Sequence, residues 1–277
     1  MILIPSDLSK VIDAAWEKTR DVPGFLLENK ARFVGLLAAC TPAEGLIVEI
    51  GSFKGRSTVM LASVAAHYGL GPVVAIDPHN FNLSTTSTRP GPSTLDDFLR
   101  SLHTAGLTGQ VEFHHAFSKD VGKSWTRPIR LLWIDGDHSY TGAKTDFDRL
   151  SAYVNPHGIV ALHDSLNPFP GPIRVFVEDM LRSQKCGGGG IRAFDCLAQY
   201  RPEDGQKFAQ RRASLESRAK HLIPLVQDGP ELHGLKKLRY KVSRSRVPRK
   251  PQQPAVTLFP ISGACRQSLC LRTTLEN

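Results

Sequence analysis

Residues 130–165 read RLLWIDGDHSYTGAKTDFDRLSAYVNPHGIVALHDS, and this stretch decides the fold of the 277-residue chain. One apolar run ends in DGDH at 135–138, a helical spacing follows, and a second apolar run ends in HD at 163–164. This order predicts two parallel strands joined by a helix. Because ligands bind at the carboxyl ends of the strands in an open parallel sheet, we expect the acids and imidazoles to meet there. Asp135 and Asp164 would then share one cation.

The chain before this stretch shows the same alternation of strands and helices. Residues 46–50 (LIVEI) predict a short strand, residues 51–55 (GSFKG) a turn, and residues 56–69 a helix. Residues 72–77 (PVVAID) predict the next strand. We therefore predict an α/β fold, a doubly wound Rossmann-like sheet that is mostly parallel and carries helices on both faces.

Two carboxylates near the glycine turn indicate the kind of ligand. Glu49 lies in a strand predicted to be buried, where a carboxylate requires a cationic or donor partner. Asp77 ends the next strand, where a carboxylate is placed to accept hydrogen bonds from a ribose diol. The turn from Gly51 to Gly55 does not match the G-x-G-x-x-G of nicotinamide enzymes. The residues favour a ligand with an amine and a ribose, such as S-adenosylmethionine.

Four segments together resemble class I S-adenosylmethionine-dependent methyltransferases. They are EIGSFKGRST at 49–58, AID at 75–77, LLWIDGDHSY at 131–140 and GIVALHDS at 158–165. More narrowly, they are similar to the group that includes macrolide sugar O-methyltransferases and cephalosporin-hydroxylase-like proteins. The resemblance implies a seven-stranded sheet with an antiparallel hairpin at one edge. It also implies methyl transfer to a hydroxyl of a saccharide or of a glycosylated natural product.

The resemblance also assigns roles to particular residues. Asp77 would hold the ribose, Ser118 would lie near the adenine, and His138 would be the catalytic base, with Asp135 beside it. The cofactor-binding set it implies is Glu49, Gly51, Ser52, Gly55, Ser57, Asp77, Ser118 and Asp135.

A divalent metal, Mg²⁺ above all, is the second cofactor that the resemblance implies. In metal-dependent relatives the residues that match Asp135, His163 and Asp164 bind it. The histidine departs from their usual pair of oxygen ligands, which magnesium prefers. Three alternatives follow: Asp164 acts with Asp135 and water, the metal is softer, or the site holds no metal.

The expected chemistry is an in-line displacement at a sulfonium that is already activated. The protein has to align the acceptor, which supplies several kcal/mol and up to about 7–11 in the best cases. It also has to remove the acceptor's proton, a step in which a histidine typically contributes about 10²–10⁴-fold. A bound cation would lower the cost of that deprotonation.

The chain divides by composition into three predicted parts. Residues 1–24 form an N-terminal cover helix, 25–201 the methyltransferase domain, and 202–277 a basic, partly disordered extension. Residues 201–250 hold 14 lysines and arginines against 5 acids, whereas residues 1–200 are close to neutral. Residues 235–255 are basic, contain prolines and have few large apolar groups, a composition typical of disorder.

The basic extension raises a second hypothesis: a methyltransferase-like protein that binds RNA or an anionic surface through its tail. The tail has few interleaved aromatics and no recognised RNA module, so we favour a solvated extension without a nucleic-acid partner. The expected partner is a small-molecule or saccharide acceptor, and a homo-oligomer stays open. Residues 78–92, rich in Pro, Ser and Thr, predict a loop that walls the acceptor pocket.

Three further features of the sequence indicate the cellular compartment. No apolar run is long enough to span a bilayer, the first residues lack a signal-peptide pattern, and the five cysteines form no CxxC pair. We therefore expect a cytoplasmic protein.

Asp137 and Ser139 are predicted to cap the helix at 139–153, and Asp146 and Asp148 to lie on its solvated face.

Overall fold

The structure is a computed structural model that describes residues 4–80, 92–192, 194–226 and 232–247. The predicted acceptor loop at 78–92 therefore lies largely outside the described residues, as does the extension after residue 247. Within the described ranges, no helix combines the length and the apolar character that crossing a bilayer requires.

Seven strands form one sheet in the order β3-β2-β1-β4-β5-β7-β6. The first five strands pair in parallel, and β7 runs antiparallel to both β5 and β6. The predicted α/β architecture and its antiparallel edge hairpin are confirmed. The strands are β1 (Leu46–Ile50), β2 (Val73–Ile76), β3 (Val111–His114), β4 (Ile129–Ile134), β5 (Val154–Leu162), β6 (Gly190–Arg192) and β7 (Asp195–Gln199).

Helices cover both faces of the sheet. Their bounds are α1 (Leu8–Thr19), α2 (Glu28–Cys40), α3 (Arg56–His67), α4 (Leu95–Thr104), α5 (Ser118–Val121), α6 (Tyr140–Leu150), α7 (Pro170–Arg174), α8 (Ala209–Ala219) and α9 (Gly234–Ser245). After α7 the chain continues as a π-helix over Val175–Met180, where the sequence predicts one helix over 173–183. Short 3₁₀ turns connect several of the other elements.

The side chains of each central strand divide between two hydrophobic cores. In β4, Leu131 and Trp133 pack on the side of α1, α2 and α3, whereas Leu132 and Ile134 pack on the other side. All four are almost fully buried. Successive side chains of a strand point to opposite faces, so a strand buried on both sides is apolar throughout, as the run in β4 is.

The extension after Arg201 packs on the second of these cores rather than standing apart from it. Leu222, Leu232 and Val247 are buried in that core. The hydroxyl of Tyr240 in α9 donates to the backbone carbonyls of Leu166 and Asn167, each at 2.8 Å.

The prediction of disorder over 235–255 is therefore wrong for the part that lies in α9, Gly234–Ser245. The basic composition gave no indication of this helix, because a single buried aromatic side chain, that of Tyr240, anchors it to the core. The predicted division of the chain at Arg201 stays a prediction.

Replacing Tyr240 by alanine should lower the free energy of unfolding by about 3–5 kcal/mol, since it removes a buried aromatic and leaves an unfilled space. Urea denaturation measures this change. Leu238, exposed on the same helix, provides the matched control. Its change to alanine should alter stability by no more than about 0.5 kcal/mol. Equal effects of the two changes would contradict the packing described for α9.

Candidate active site

The glycine turn after β1 lies directly against the end of β4. Gly51 adopts a φ of +85°, and a Cβ at this position would overlap the backbone carbonyl of Asp135. The Asp135 N–H donates to the carbonyl of Ile50 at 2.8 Å. Gly55, with φ +93°, precedes the first residue of α3. Glycine adopts this positive φ readily and leaves room for the Asp135 carbonyl, so position 51 requires it. The ends of β1 and β4 therefore lie together at one crevice.

Glu49 is fully buried beneath this turn. Its Oε2 accepts a hydrogen bond from the Thr58 hydroxyl at 2.5 Å, and its Oε1 has no partner among the described residues. Burial raises the pKa of Glu49 to about 8; hydrogen bonds from Ser57 and Thr58 oppose the rise, and the charges of Asp135 and Asp77 add to it. A buried carboxylate oxygen without a partner fits the ammonium group of an amino-acid ligand. This observation supports the predicted methionine end of the cofactor site.

Asp77 ties the glycine turn to the end of β2. Its carboxylate accepts from the backbone N–H of Phe53 at 2.7 Å and from that of His79 at 2.6 Å. Ser52, in the same turn, is buried and its hydroxyl has no partner among the described residues. Ser52 in the turn and Asp77 after β2 thus lie next to each other. Their contacts with a methionine or a ribose stay predictions.

Ser118 donates a hydrogen bond to Asp146, which is buried. Burial raises the pKa of Asp146 to about 7, with the Ser118 hydrogen bond opposing. A Cβ on Gly136 would lie 2.6 Å from Asp146 Oδ2, so this carboxyl packs under the loop after β4. The prediction that Asp146 lies on the solvated face of its helix is therefore wrong. The neighbouring Asp148 is exposed, as predicted, and pairs with Lys144.

The loop after β4 brings Asp135 and His138 next to His163. Asp135 Oδ1 lies 2.7 Å from His163 Nδ1 and 3.6 Å from His138 Nε2. The His138 ring packs on Phe169 with centroids 4.8 Å apart. Burial lowers the pKa of His138, against the opposing charge of Asp135. His138 therefore presents a neutral imidazole near pH 7, a form that accepts a proton.

The loop also contains the helix caps. Ser139 Oγ accepts from the N–H of Gly142 at 3.0 Å and caps α6, as predicted. Asp137 instead accepts from the backbone N–H and the hydroxyl of Ser139. It therefore supports the cap through Ser139, and its carboxyl packs against Gly142 in the first turn of α6.

Lys30, from α2, enters the site from the face opposite the loop. Its Nζ lies 2.5 Å from Asp164 Oδ1, 3.3 Å from Asp195 Oδ1 and 3.2 Å from His163 Nε2. Burial lowers the pKa of Lys30, but the charges of Asp195 and Asp164 outweigh it and raise the pKa above its usual value. Lys30 is thus a buried cation.

Asp195 reaches the site because β7 is antiparallel to its neighbour. Its register pairs Cys196 with Leu162, so the first residue of β7 lies beside His163. Asp195 Oδ1 also accepts from the Asp164 N–H at 3.0 Å. Burial raises the pKa of Asp195 to about 6, against the opposing charges of His163 and Lys30.

The predicted metal ligands Asp135, His163 and Asp164 do not converge on one point. The described residues contain two sets with metal-ligand geometry, and Asp135 and Asp164 belong to different ones, with His163 shared between them. One set is Asp135, His138 and His163, and the other is His163, Asp164 and Asp195. The second set already contains the Lys30 ammonium, and the first offers two imidazoles and one carboxylate, a poor set for magnesium. These residues do not fit the predicted magnesium ion.

Sequence reasoning missed two charged residues of this cluster, Lys30 and Asp195. The sequence did contain a signal for Lys30. It lies one residue before Ala31 and four residues before Val34, which are both completely buried, so it shares the apolar face of the helix. A lysine on the apolar face of a helix requires a partner. Asp195 gave no comparable signal, because only the direction of β7 brings it to this edge.

Comparison with known proteins agrees with this geometry. A family described as "Methyltransferase domain" matches residues 48–165. Among solved structures, the O-methyltransferase NovP superimposes with a TM-score of 0.54 and 13% identity, covering 70% of this chain and 98% of that one. The cofactor-bound protein Rv0187 from MTB superimposes with a TM-score of 0.50 and 18% identity, covering 71% and 88%.

Residues 48–165 thus form a methyltransferase domain within a sheet of the methyltransferase type. The resemblance to methyltransferases that the motifs show is confirmed for this part of the chain.

Binding of S-adenosylmethionine should release about one proton near pH 7, because Glu49 is largely protonated when free and ionises against the ligand's ammonium. The folded-state pKa of about 8 means that affinity rises with pH up to about 8 and then levels. Calorimetry in buffers of different ionisation enthalpy measures the proton count. Glu49→Gln is the control and should abolish the release; unchanged proton release in that variant would exclude Glu49 as its source.

Proposed function

We propose that this methyltransferase transfers the methyl group of S-adenosylmethionine to a hydroxyl oxygen, with His138 as the base. The observation that carries the proposal is the position of His138. It lies beside Asp135, in the loop whose first residue packs on Gly51 of the cofactor turn. A neutral imidazole next to the methyl donor's site is the group that O-methylation requires, because an alcohol must lose its proton as it attacks.

Each residue of the pair has a separate part in the proposed reaction. The acceptor oxygen attacks the sulfonium methyl carbon as the bond from sulfur to that carbon breaks, which leaves S-adenosylhomocysteine. His138 takes the proton that the hydroxyl loses. Asp135 orients the imidazole and stabilises the positive charge that the ring gains. The Asp135 and His138 side chains are 20% and 21% exposed, and His138 Nε2 is itself buried without a hydrogen-bond partner among the described residues.

A saccharide or a glycosylated natural product is the acceptor class we propose, on the strength of the motif resemblance. The wall beside the base supports this choice. Phe169, which is partly exposed, lies against His138. Phe25, 69% exposed, stacks on Phe53 of the glycine turn with centroids 5.6 Å apart. Aromatic faces of this kind suit the C–H surface of a sugar ring. The proposed reaction uses no divalent ion, because the residues predicted to bind one do not converge on a single point.

Changing His138 to alanine should reduce kcat by about 10²–10⁴-fold, because the acceptor proton loses its base. Affinity for S-adenosylmethionine should stay within about twofold, since His138 lies outside the cofactor turn. Steady-state kinetics with a panel of sugar acceptors, together with calorimetry for the cofactor, separates the two effects. His103→Ala, at an exposed position on α4, is the control and should leave both values unchanged. Full turnover in the His138 variant would refute its assignment as the base.

A second candidate function, binding to an anionic surface, is favoured by one feature of α9. Leu235, Leu238 and Val242 are 79%, 57% and 47% exposed, and their spacing places them along one stripe of the helix. Exposed basic residues flank the stripe: Lys236, Lys237, Arg239 and Lys241. Basic amphipathic helices with an exposed apolar stripe lie in the interface of anionic membranes. An apolar stripe suits a lipid surface better than it suits RNA.

Flotation with phosphatidylserine vesicles tests this candidate. The full chain should float with anionic vesicles and not with phosphatidylcholine vesicles, because the basic residues attract the charged headgroups. Changing Leu235, Leu238 and Val242 together to serine should abolish flotation and preserve methyl transfer. Equal flotation of both proteins would show that the stripe has no part in binding.

A further inference from the structure

We propose that the ammonium of Lys30 is the resident cation of this site and that the protein binds no divalent ion there. The inference rests on the proposed function only for its catalytic consequence. Lys30 occupies the space among Asp164, Asp195 and His163, which is one of the two sets with metal-ligand geometry.

The contacts of Lys30 match its chemistry in number and kind. A lysine ammonium has three N–H donors and no acceptor. Three acceptor atoms lie within 3.3 Å of Nζ: Asp164 Oδ1, Asp195 Oδ1 and His163 Nε2. Each donor therefore has a partner, and each of these atoms faces a positive charge as it would face a metal.

The surroundings hold this cation in place. The Lys30 side chain is 7% exposed and Asp195 is completely buried. Lys30 lies in the first turn of α2, whose following residues Ala31, Val34 and Leu37 pack without any exposure in the first hydrophobic core. Buried carboxylates require a positive partner. The helix supplies it as part of the fold, so a divalent ion entering the same set would meet a fixed like charge.

Lys30 also determines the direction of the hydrogen bonds that lead to the base. Because an ammonium only donates, His163 Nε2 is the acceptor and the ring proton lies on Nδ1, toward Asp135. Asp135 then lies between His163 and His138. Lys30 is thus a positioning residue that acts on His138 through two intermediates.

The test uses Mn²⁺ alone as the probe and the electron paramagnetic resonance signal of free Mn²⁺ as the readout, with the full chain. Wild-type protein should bind Mn²⁺ with a dissociation constant no tighter than about 1 mM. Lys30→Met removes the ammonium and should tighten binding by about tenfold or more. The double change of Lys30→Met with Asp164→Asn should lose that gain, because an acidic ligand is gone. Lys10→Met, at an exposed position on α1, is the control and should behave as wild type.

Two results would overturn the inference. One is micromolar Mn²⁺ binding by wild type that Asp164→Asn abolishes, since the cation site would then accept a metal with Lys30 present. The other is a folded Lys30→Met protein that binds Mn²⁺ no more tightly than wild type. Thermal unfolding reports whether the variant is folded, and Lys30→Gln, which keeps a polar group, replaces it if it is not.

Turnover provides the arm that depends on the proposed function. Wild-type activity should be unchanged after thorough chelation, and Lys30→Met should lose kcat and recover part of it with Mn²⁺. Loss of wild-type activity on chelation would contradict the inference. If no hydroxyl acceptor is turned over at all, the proposed function fails, and the Mn²⁺ measurements still decide the position of the cation.

Discussion

Charge balance at the carboxyl edge of the sheet is the constraint on which the site depends. Asp135, Asp164 and Asp195 meet there with His163, and Asp195 has no exposure to water. Carboxylates in such a setting are stable only with cationic partners and hydrogen bonds. The fold brings Lys30 to them from a helix on the other side of the crevice. The arrangement couples the position of α2 to the side chains that surround the base.

The cofactor half and the acid–base half of the site are joined by the pairing of β1 with β4. Their register places Ile50 opposite Ile134, so the chain leaves both strands at the same level. Gly51 then packs on the Asp135 carbonyl, and Glu49 lies two residues before it in β1. A side chain at position 51 would push apart the two groups that the proposed reaction must hold together. The close approach of backbones explains the glycine better than loop flexibility does.

The extension after Arg201 supports the site from behind. The Tyr240 hydroxyl and the Arg244 guanidinium both donate to the Leu166 carbonyl. Leu166 follows His163 and Asp164 closely in the chain. Asp164 adopts a φ of +52°, an uncommon conformation for a non-glycine residue. Hydrogen bonds of this kind help to hold a backbone conformation that by itself costs free energy. The basic segment is therefore part of the architecture around the crevice, whatever its exposed face binds.

The local pattern of the sequence by itself determined the class of fold, the strand ends and most of the crevice. Alternation of apolar runs and helical spacing depends on neighbouring residues, so the strand at 46–50, the turn at 51–55 and the apolar run that ends in DGDH at 135–138 could be predicted closely. The buried Glu49 came from the same pattern, whereas the role of His138 as the candidate base came from the resemblance of the motifs to a known family.

Only the tertiary structure decided which charges face one another. Lys30 is 133 residues from His163 in the chain, and Asp195 reaches the same edge because β7 runs antiparallel to β5. Asp146 appeared solvated in a helix pattern but lies under Gly136, since the burial of a helix face depends on what packs against it. Partners of buried charges are set by distances in space, and the periodicity of a single segment carries no information about them.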